Sequence, residues 1–594
     1  MKELLMGNEA IALGALAAGV KVVSGYPGTP STEVLETIAK RRTDDVYVEW
    51  SINEKTAMEV AAGAAVAGSR ALVTMKQVGL NVASDPLMCI NYVGVKGGLV
   101  VLACDDPGPI SSQTEQDTRH FGRYARIPVL DPATPEEAYQ MIQDAFDLSE
   151  SIGTPVILRP TTRVCHACAS IDAAEPASRE SQGFTKDSRW CIFPRLSYNA
   201  KKKLFARESE LASTLSDYPY NRIEGVGTVG IVTGGVSAAY TKDALSDLGI
   251  DVRVLTVATP YPFPEPLAEK FLDGLDRVLV IEELDPVLED ALLHLAGKKH
   301  LTVTICGKYT GHTITAGENS HVLIRQQIAD FVGIESPTVP TLDETAPALP
   351  VRPPTLCAGC PHRASFYAVK RAMEGRAGVF SGDIGCYTLG NAAPLNMVDT
   401  CLCMGAAITM PQGIARTGHD AVHFGFVGDS TFFHSGITNV INAVYNNMDE
   451  VVVILDNSTT AMTGHQPHPG IGRTMMGDIS TKVSIERILE AVGVTSVRIV
   501  NPLDLRLATK AVREASNEKG VRVIIFRAPC VALFKGEKPR QTTHNCIGCQ
   551  TCIREIGCPA LSMVDDRCVI DTSLCNGCGL CEQVCVAQAI EEVK

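Results

Sequence analysis

The sequence predicts an α/β protein: three doubly wound parallel-sheet domains followed by a small cysteine-dense module. Three observations support this. Short β-branched runs alternate with small-residue helical stretches, the pattern of parallel sheets wrapped by helices. Glycine numbers 50 while aromatics make up 5%, which favours layered α/β domains with tight turns over an aromatic-rich sandwich. Of 21 cysteines, nine fall between Cys546 and the C-terminus. At 594 residues there is room for about three or four domains of ~150 residues.

Residues 1–170 read as the first α/β domain, with a helix at Ala10 to Gly19 and strands at Val20 to Ser24, Arg70 to Met75 and Gly98 to Ala103. Residues 171–224 read as a polar, irregular connecting segment, in which Lys201-Lys202-Lys203 is a solvated face. A second α/β domain spans 225–335, with strands at Val229 to Val232, Val252 to Leu255 and Arg277 to Ile281. Pro337, Pro340, Pro347, Pro350, Pro353 and Pro354 mark a stiff linker over 336–354. The third α/β domain fills 355–534, with strands at Val422 to Val427, Val451 to Leu455 and Val521 to Phe526; 535–594 is the tail.

Hydrophobic residues at 45% and charged residues at 20% exclude disorder, collagen and a membrane bundle. A net charge of −14 argues against nucleic acid as a partner. No window reaches the ~18 uninterrupted apolar residues of a membrane span. The N-terminus, with Lys2 and then Glu9, reads as an amphipathic helix rather than a signal peptide. A cytoplasmic, reducing setting is expected, which makes clustered thiols metal ligands.

In the tail, Cys546-x2-Cys549-x2-Cys552 precedes Cys558-Pro559, and Cys575-x2-Cys578-x2-Cys581 precedes Cys585. This is the spacing of two-cluster bacterial-type ferredoxins, in which the fourth cysteine of each run serves the other cluster. The expected sets are Cys546, Cys549, Cys552 and Cys585 for one [4Fe-4S] cluster, and Cys575, Cys578, Cys581 and Cys558 for the other. The longer gap after Cys552, and Val586 in place of the usual proline, depart from the pattern without removing a ligand. Zinc is the alternative for CxxC pairs, but eight cysteines in mirrored order argue against it. Cys568 is left over and reads as a small core residue.

Gly428-Asp429-Ser430 follows one apolar strand and Asp456-Asn457 follows another. If those strands are neighbours in one parallel sheet, their polar ends can share a cation. Asp429, the Asn457 side chain and the Thr459 carbonyl form a hard oxygen set suited to Mg²⁺. The spacing resembles the thiamine diphosphate motif, with Ser430 in place of the usual third glycine. Glu54-x2-Ala57-x3-Ala61-x-Gly63-x-Ala65 resembles the pyrimidine-binding helix of the same enzymes. There, a glutamate activates the aminopyrimidine, and small residues in the next turns let the ring approach. The bland reading is that Glu54 caps a surface helix; the metal motif about 370 residues later favours the cofactor.

Thiamine diphosphate with a two-cluster tail resembles the 2-oxoacid:ferredoxin oxidoreductases, and the resemblance covers nearly the whole chain. Tyr26-Pro27-Gly28-Thr29-Pro30-Ser31 resembles that family's YPxTPS turn, which implies that Thr29 contacts the substrate carboxylate. Thr463-Gly464-His465-Gln466 resembles its TGGQ segment near the diphosphate, with His465 replacing a glycine. Leu356 to Arg363, LCAGCPHR, resembles the CxGCPHR signature of the arylpyruvate branch. The fold implied is thiamine diphosphate-binding: a pyrimidine domain (1–170), a transketolase C-terminal-like domain (225–335) and a diphosphate domain (355–534), with a ferredoxin domain at the end. Pyruvate-type relatives also imply a third cluster on Cys357, Cys360, Cys386 and Cys530; the other reading of Cys386 and Cys530 is buried apolar thiols.

Other features stay outside this reading. Gly225-x-Gly227-x-x-Gly230 matches a dinucleotide fingerprint as text but precedes its strand, which argues against NAD. Cys165-His166-Ala167-Cys168 lacks a partner pair and reads as structural, and Cys401-x-Cys403 has the wrong spacing for a cluster. His362 and His465 either face the cofactor or pack near it.

The resemblance implies oxidative decarboxylation of arylpyruvates such as indolepyruvate, with coenzyme A, giving aryl-acyl-CoA and CO₂ and sending electrons to ferredoxin. Alternatives are the same chemistry on another 2-oxoacid, a non-oxidative thiamine diphosphate decarboxylase, and an electron-transfer scaffold. No further α/β domain follows Cys530, so a separate smaller β subunit of about 200 residues is expected.

Overall fold

The computed structural model describes residues 2–337, 349–350, 352–418, 420–534 and 536–593, in two compact units, Met1–Pro347 and Ala348–Lys594. Most of the proline-rich linker lies outside the described residues. Among the described residues, no helix is long and apolar enough to cross a membrane.

The first unit holds two sheets. One has six parallel strands in the order Tyr47–Trp50, Val22–Gly25, Ala71–Lys76, Leu99–Cys104, Val156–Leu158 and Val129–Leu130. Leu99–Cys104 is buried at every position, as a strand covered on both faces requires. Helix Gly7–Ala17 is buried along most of its length against helix Pro135–Ile152. The approach is close enough that a Cβ on Gly14 would lie 2.5 Å from the Tyr139 carbonyl oxygen. The amphipathic helix expected at the extreme N-terminus is instead strand Lys2–Met6, paired antiparallel with Cys168–Asp172. Pairing with a distant strand overrides the local helical pattern there.

The second sheet runs Thr304–Cys306, Arg277–Ile281, Val229–Thr233, Arg253–Thr256 and Arg222–Glu224. The first four are parallel and the last is antiparallel, so this sheet is mixed. Gly230 lies inside a strand rather than at a helix start. Residues 171–224 correct the expectation of an irregular connector. They supply that antiparallel edge strand and the 22-residue helix Pro194–Leu215. Leu204, Leu211, Ala212 and Leu215 are its buried face, and Arg207 donates to the Thr154 hydroxyl at 2.9 Å. So few apolar anchors in so long a helix give little periodicity, and the exposed Lys201, Lys202 and Lys203 mask it further.

The second unit contains a parallel sheet ordered Gly378–Ser381, Val422–Gly428, Glu450–Asp456, Val521–Arg527 and Ser496–Val500. The cysteine-rich tail packs into the same core. Phe366, Phe424 and Phe426 belong to one apolar cluster with Cys552, Ile556 and Leu580. The tail itself is two short helices, Thr551–Ile556 and Leu580–Val584, and two antiparallel strand pairs, Arg540–Thr542 with Ile590–Glu592 and Leu561–Val564 with Arg567–Ile570. The longer gap after Cys552 is absorbed by the first helix, which ends at Gly557 in the left-handed region (φ 62°).

Candidate active site and thiol cavities

In the six-stranded sheet the strand order reverses between Val22–Gly25 and Ala71–Lys76, the place where open α/β sheets bind ligands at their carboxyl ends. The first strand runs into the Tyr26 to Ser31 turn. This turn is held by Gly28 N donating to Thr32 Oγ1 at 3.0 Å, Ser31 Oγ donating to Gly28 O at 2.8 Å and Asn8 Nδ2 donating to Pro30 O at 2.6 Å. Thr29 is partly exposed at its tip. The second strand ends at Lys76, whose aliphatic stem packs so closely that a Cβ on Gly28 would sit 3.1 Å from Lys76 Cγ. Lys76 Nζ donates to Ser111 O at 3.2 Å. Burial lowers the Lys76 ammonium below the ordinary lysine range, while Asp106 and Glu54 pull it back. Lys76 went unnoticed in the sequence because a single lysine after an apolar strand forms no pattern.

Glu54 starts helix Glu54–Val66, capped by Asn53, whose side chain accepts from Thr56 N at 2.9 Å. It is 5% exposed, and a Cβ on Gly79 would lie 2.7 Å from its Cγ and Oε1, so a side chain at position 79 would displace this carboxylate. Glu54 is therefore not a surface cap. The small residues have a different role from the one expected. Ala57, Ala61 and Ala65 are fully buried among Ala71, Val73 and Leu99, so they seat the helix on its own sheet.

In the second unit, Val422–Gly428 and Glu450–Asp456 are adjacent parallel strands, with Gly428 opposite Leu455. Asp429 and Asn457 thus emerge at one sheet edge. Asp429 is 2% exposed and accepts from Ser430 N and Ser458 N, each at 2.8 Å. Burial pushes its carboxyl up, and His468 Nε2, 3.1 Å from Oδ2, pulls it down. Asn457 donates through Nδ2 to His362 Nε2 at 3.2 Å, and its Oδ1 accepts from Thr459 N at 3.2 Å. Burial lowers His362 to about 4, which keeps its imidazole neutral. The Thr459 hydroxyl is buried without a partner among the described residues. These oxygen donors fit a small hard cation.

Thr463-Gly464-His465-Gln466 folds back on this edge. Thr460 N donates to Gln466 O at 3.1 Å, Thr463 Oγ1 donates to Gln466 Oε1 at 2.7 Å, and the Ser430 and Thr460 hydroxyls meet at 2.5 Å. Gly464 has φ 120°, open only to glycine, and the His465 Nδ1 is buried without a partner among the described residues. His362 and His468 touch the expected metal ligands Asn457 and Asp429. His468 carries no sequence signal beyond its neighbourhood.

The thiols gather into three groups. Cys546, Cys549, Cys552 and Cys585 wall one cavity, with Cys568 on the same wall. Cys558, Cys575, Cys578 and Cys581 wall a second, which also reaches Cys360 and Arg363. The third group is Cys357, Cys360, Cys386 and Cys530, where burial and the neighbouring thiols push Cys386 up to about 12. Asp429 is also a charge neighbour of Cys386 and Cys530, and Cys530 N donates to Asn457 O at 3.0 Å. This group therefore adjoins the oxygen-rich edge. Thiols crowded in this way suit iron held by thiolates. By contrast, Cys401 and Cys403 are exposed, and Cys165 is buried while Cys168 is exposed.

Residues 13–191 match the family model described as pyruvate flavodoxin/ferredoxin oxidoreductase, thiamine diP-bdg, and residues 383–526 match thiamine pyrophosphate enzyme, C-terminal TPP binding domain. The fold and these two domains define a thiamine diphosphate-dependent oxidoreductase. The chain is 42% identical to indolepyruvate oxidoreductase subunit IorA of Methanothermobacter marburgensis, over 99% of this chain and 97% of that one. It is 40% identical to the subunit of that name from Archaeoglobus fulgidus, over 100% and 98%. It belongs to the indolepyruvate oxidoreductase IorA family. Among solved structures, 2-oxoglutarate:ferredoxin oxidoreductase from Magnetococcus marinus aligns with a TM-score of 0.45 and 18% identity, covering 56% of this chain and 65% of that chain.

Proposed function

We propose that this chain is the large subunit of an enzyme that oxidatively decarboxylates arylpyruvates, indolepyruvate among them, with coenzyme A to aryl-acyl-CoA and CO₂. Electrons pass to ferredoxin, and a smaller β subunit completes the complex. The observation that carries this reading is the position of the Cys357, Cys360, Cys386 and Cys530 thiols beside Asp429 and Asn457. A non-oxidative decarboxylase has no use for iron next to its cofactor.

Asp429, Asn457 Oδ1 and the Thr459 carbonyl would hold Mg²⁺, and Gly428, Ser430, Thr463 and Gly464 would border the diphosphate. Glu54 would hydrogen-bond the aminopyrimidine. Thiamine diphosphate would supply the electron sink for decarboxylation, and [4Fe-4S] clusters would take electrons one at a time. Thr29 and Lys76 would meet the substrate carboxylate, because a desolvated ammonium beside an open turn is a ready partner for an anion. The second and third thiol groups share Cys360 on one cavity wall, and the tail continues to the first group, which contains the exposed Cys549. That order would link the oxygen-rich edge to the tail, and each end of it holds an exposed thiol, Cys357 and Cys549.

The test is coenzyme A-dependent viologen reduction by the anaerobically co-purified complex, with indolepyruvate compared against pyruvate. Preference for indolepyruvate supports the proposal, and preference for pyruvate moves the enzyme to another branch. No reduction, with cofactor and iron in place, overturns it.

A further inference from the structure

Cys568 is the cysteine that the ferredoxin spacing leaves over, and the structure does not bury it among hydrocarbon alone. It lies on strand Arg567–Ile570, paired with Met563 across a hairpin whose turn residues, Asp565 and Asp566, both have positive φ. That tight turn sets the register and leaves the Cys568 side chain on the inner face, 4% exposed. Its Sγ is 3.5 Å from Cys552 Sγ, and both sulfurs line the cavity walled by Cys546, Cys549 and Cys585. Five thiols thus surround a space for which four ligands suffice.

We propose that Cys568 is a reserve ligand of this iron–sulfur site, able to take the place of Cys552. The inference rests on the reading that the cavity holds a [4Fe-4S] cluster. If Cys552 ceased to be a ligand, Cys568 would stand ready to replace it, with a sulfur 3.5 Å from that of Cys552 and on the same cavity wall. Cys568 then loses its proton to solvent, a new Fe–S bond forms, and the thiolate count and cluster charge are restored. No electron moves and no oxidant is needed.

The experiment compares iron, acid-labile sulfide and low-temperature EPR of the anaerobically purified complex carrying Cys568→Ala, Cys552→Ala or both substitutions. Cys568→Ala is expected to keep the wild-type iron content. Cys552→Ala is expected to keep it too, with an altered EPR signal, whereas the double variant loses about four irons. Equal iron in Cys552→Ala and the double variant overturns the proposal, as does loss of iron from Cys568→Ala alone. If Cys552→Ala does not accumulate, the same pair is read in a Cys552→Ser background, with the same outcomes deciding. A wild-type complex without cluster iron instead sinks the underlying reading, so the two failures are told apart.

Discussion

The Arg363 guanidinium donates through Nη1 to the carbonyl oxygens of Ile556 and Gly557, each at 2.8 Å, and through Nη2 to Leu356 O at 2.5 Å. It is 3% exposed, and its Nε has no partner among the described residues. The ionisable groups around it are the thiols of Cys558, Cys360, Cys578 and Cys357. A buried cation held only by carbonyls fits a setting in which the thiols are ionised and bound to metal. Arg363→Gln removes the charge and the fork, a loss on the order of 3 kcal/mol. The expected outcome is that limited proteolysis between the sheet domain and the tail speeds up at least tenfold.

Asp429→Asn keeps the shape of the side chain but removes the anion. Wild-type protein is expected to gain about 2.7 kcal/mol of stability at a hundredfold excess of thiamine diphosphate and Mg²⁺ over Kd. The variant, scanned by thermal denaturation under the same conditions, should gain none.

Lys76→Met retains the aliphatic stem that packs on Gly28 and removes the ammonium. Loss of one charged hydrogen bond to a bound carboxylate is about 1.5–3 kcal/mol. Steady-state kinetics should show KM for the 2-oxoacid rising about tenfold to a hundredfold, with kcat changing less.

Glu450 lies at the start of its strand, away from the site, with Gln412 Nε2 donating to it at 3.1 Å. Burial raises its carboxyl from 4.5 to about 8, against the pull of Gln412 and Arg522. A carboxyl raised on folding favours the native state below its unfolded value, and that advantage fades as pH climbs through the folded one. Glu450→Gln should therefore leave the thermal midpoint nearly unchanged at pH 4.5 and raise it progressively up to pH 8. An equal shift at both ends would contradict this.

Much of the architecture was legible because it rests on runs rather than on single residues. The apolar stretches ending at Val427 and Leu455 are strands in the structure, and Asp429 and Asn457 stand at their ends because a parallel sheet aligns like ends. Cysteine spacing is equally local. What resisted reading depends on tertiary partners. Helix Pro194–Leu215 has few buried anchors, Lys2–Met6 needs a strand more than 160 residues away, and His468 and Lys76 gain meaning only from what the fold sets beside them. The alanines after Glu54 were noticed, but their burial shows that they serve packing within the domain.

The tail is fastened to the sheet domain by several side chains. Besides Arg363, Asn576 Nδ2 donates to Ala358 O at 2.9 Å, and Gln583 both accepts from Leu505 N at 3.0 Å and donates to Leu503 O at 2.7 Å. A module clamped in this way is fixed in place and is not a swinging arm. Charge passing from one thiol cavity to the next would cross a stationary wall, at a rate indifferent to the viscosity of the solvent.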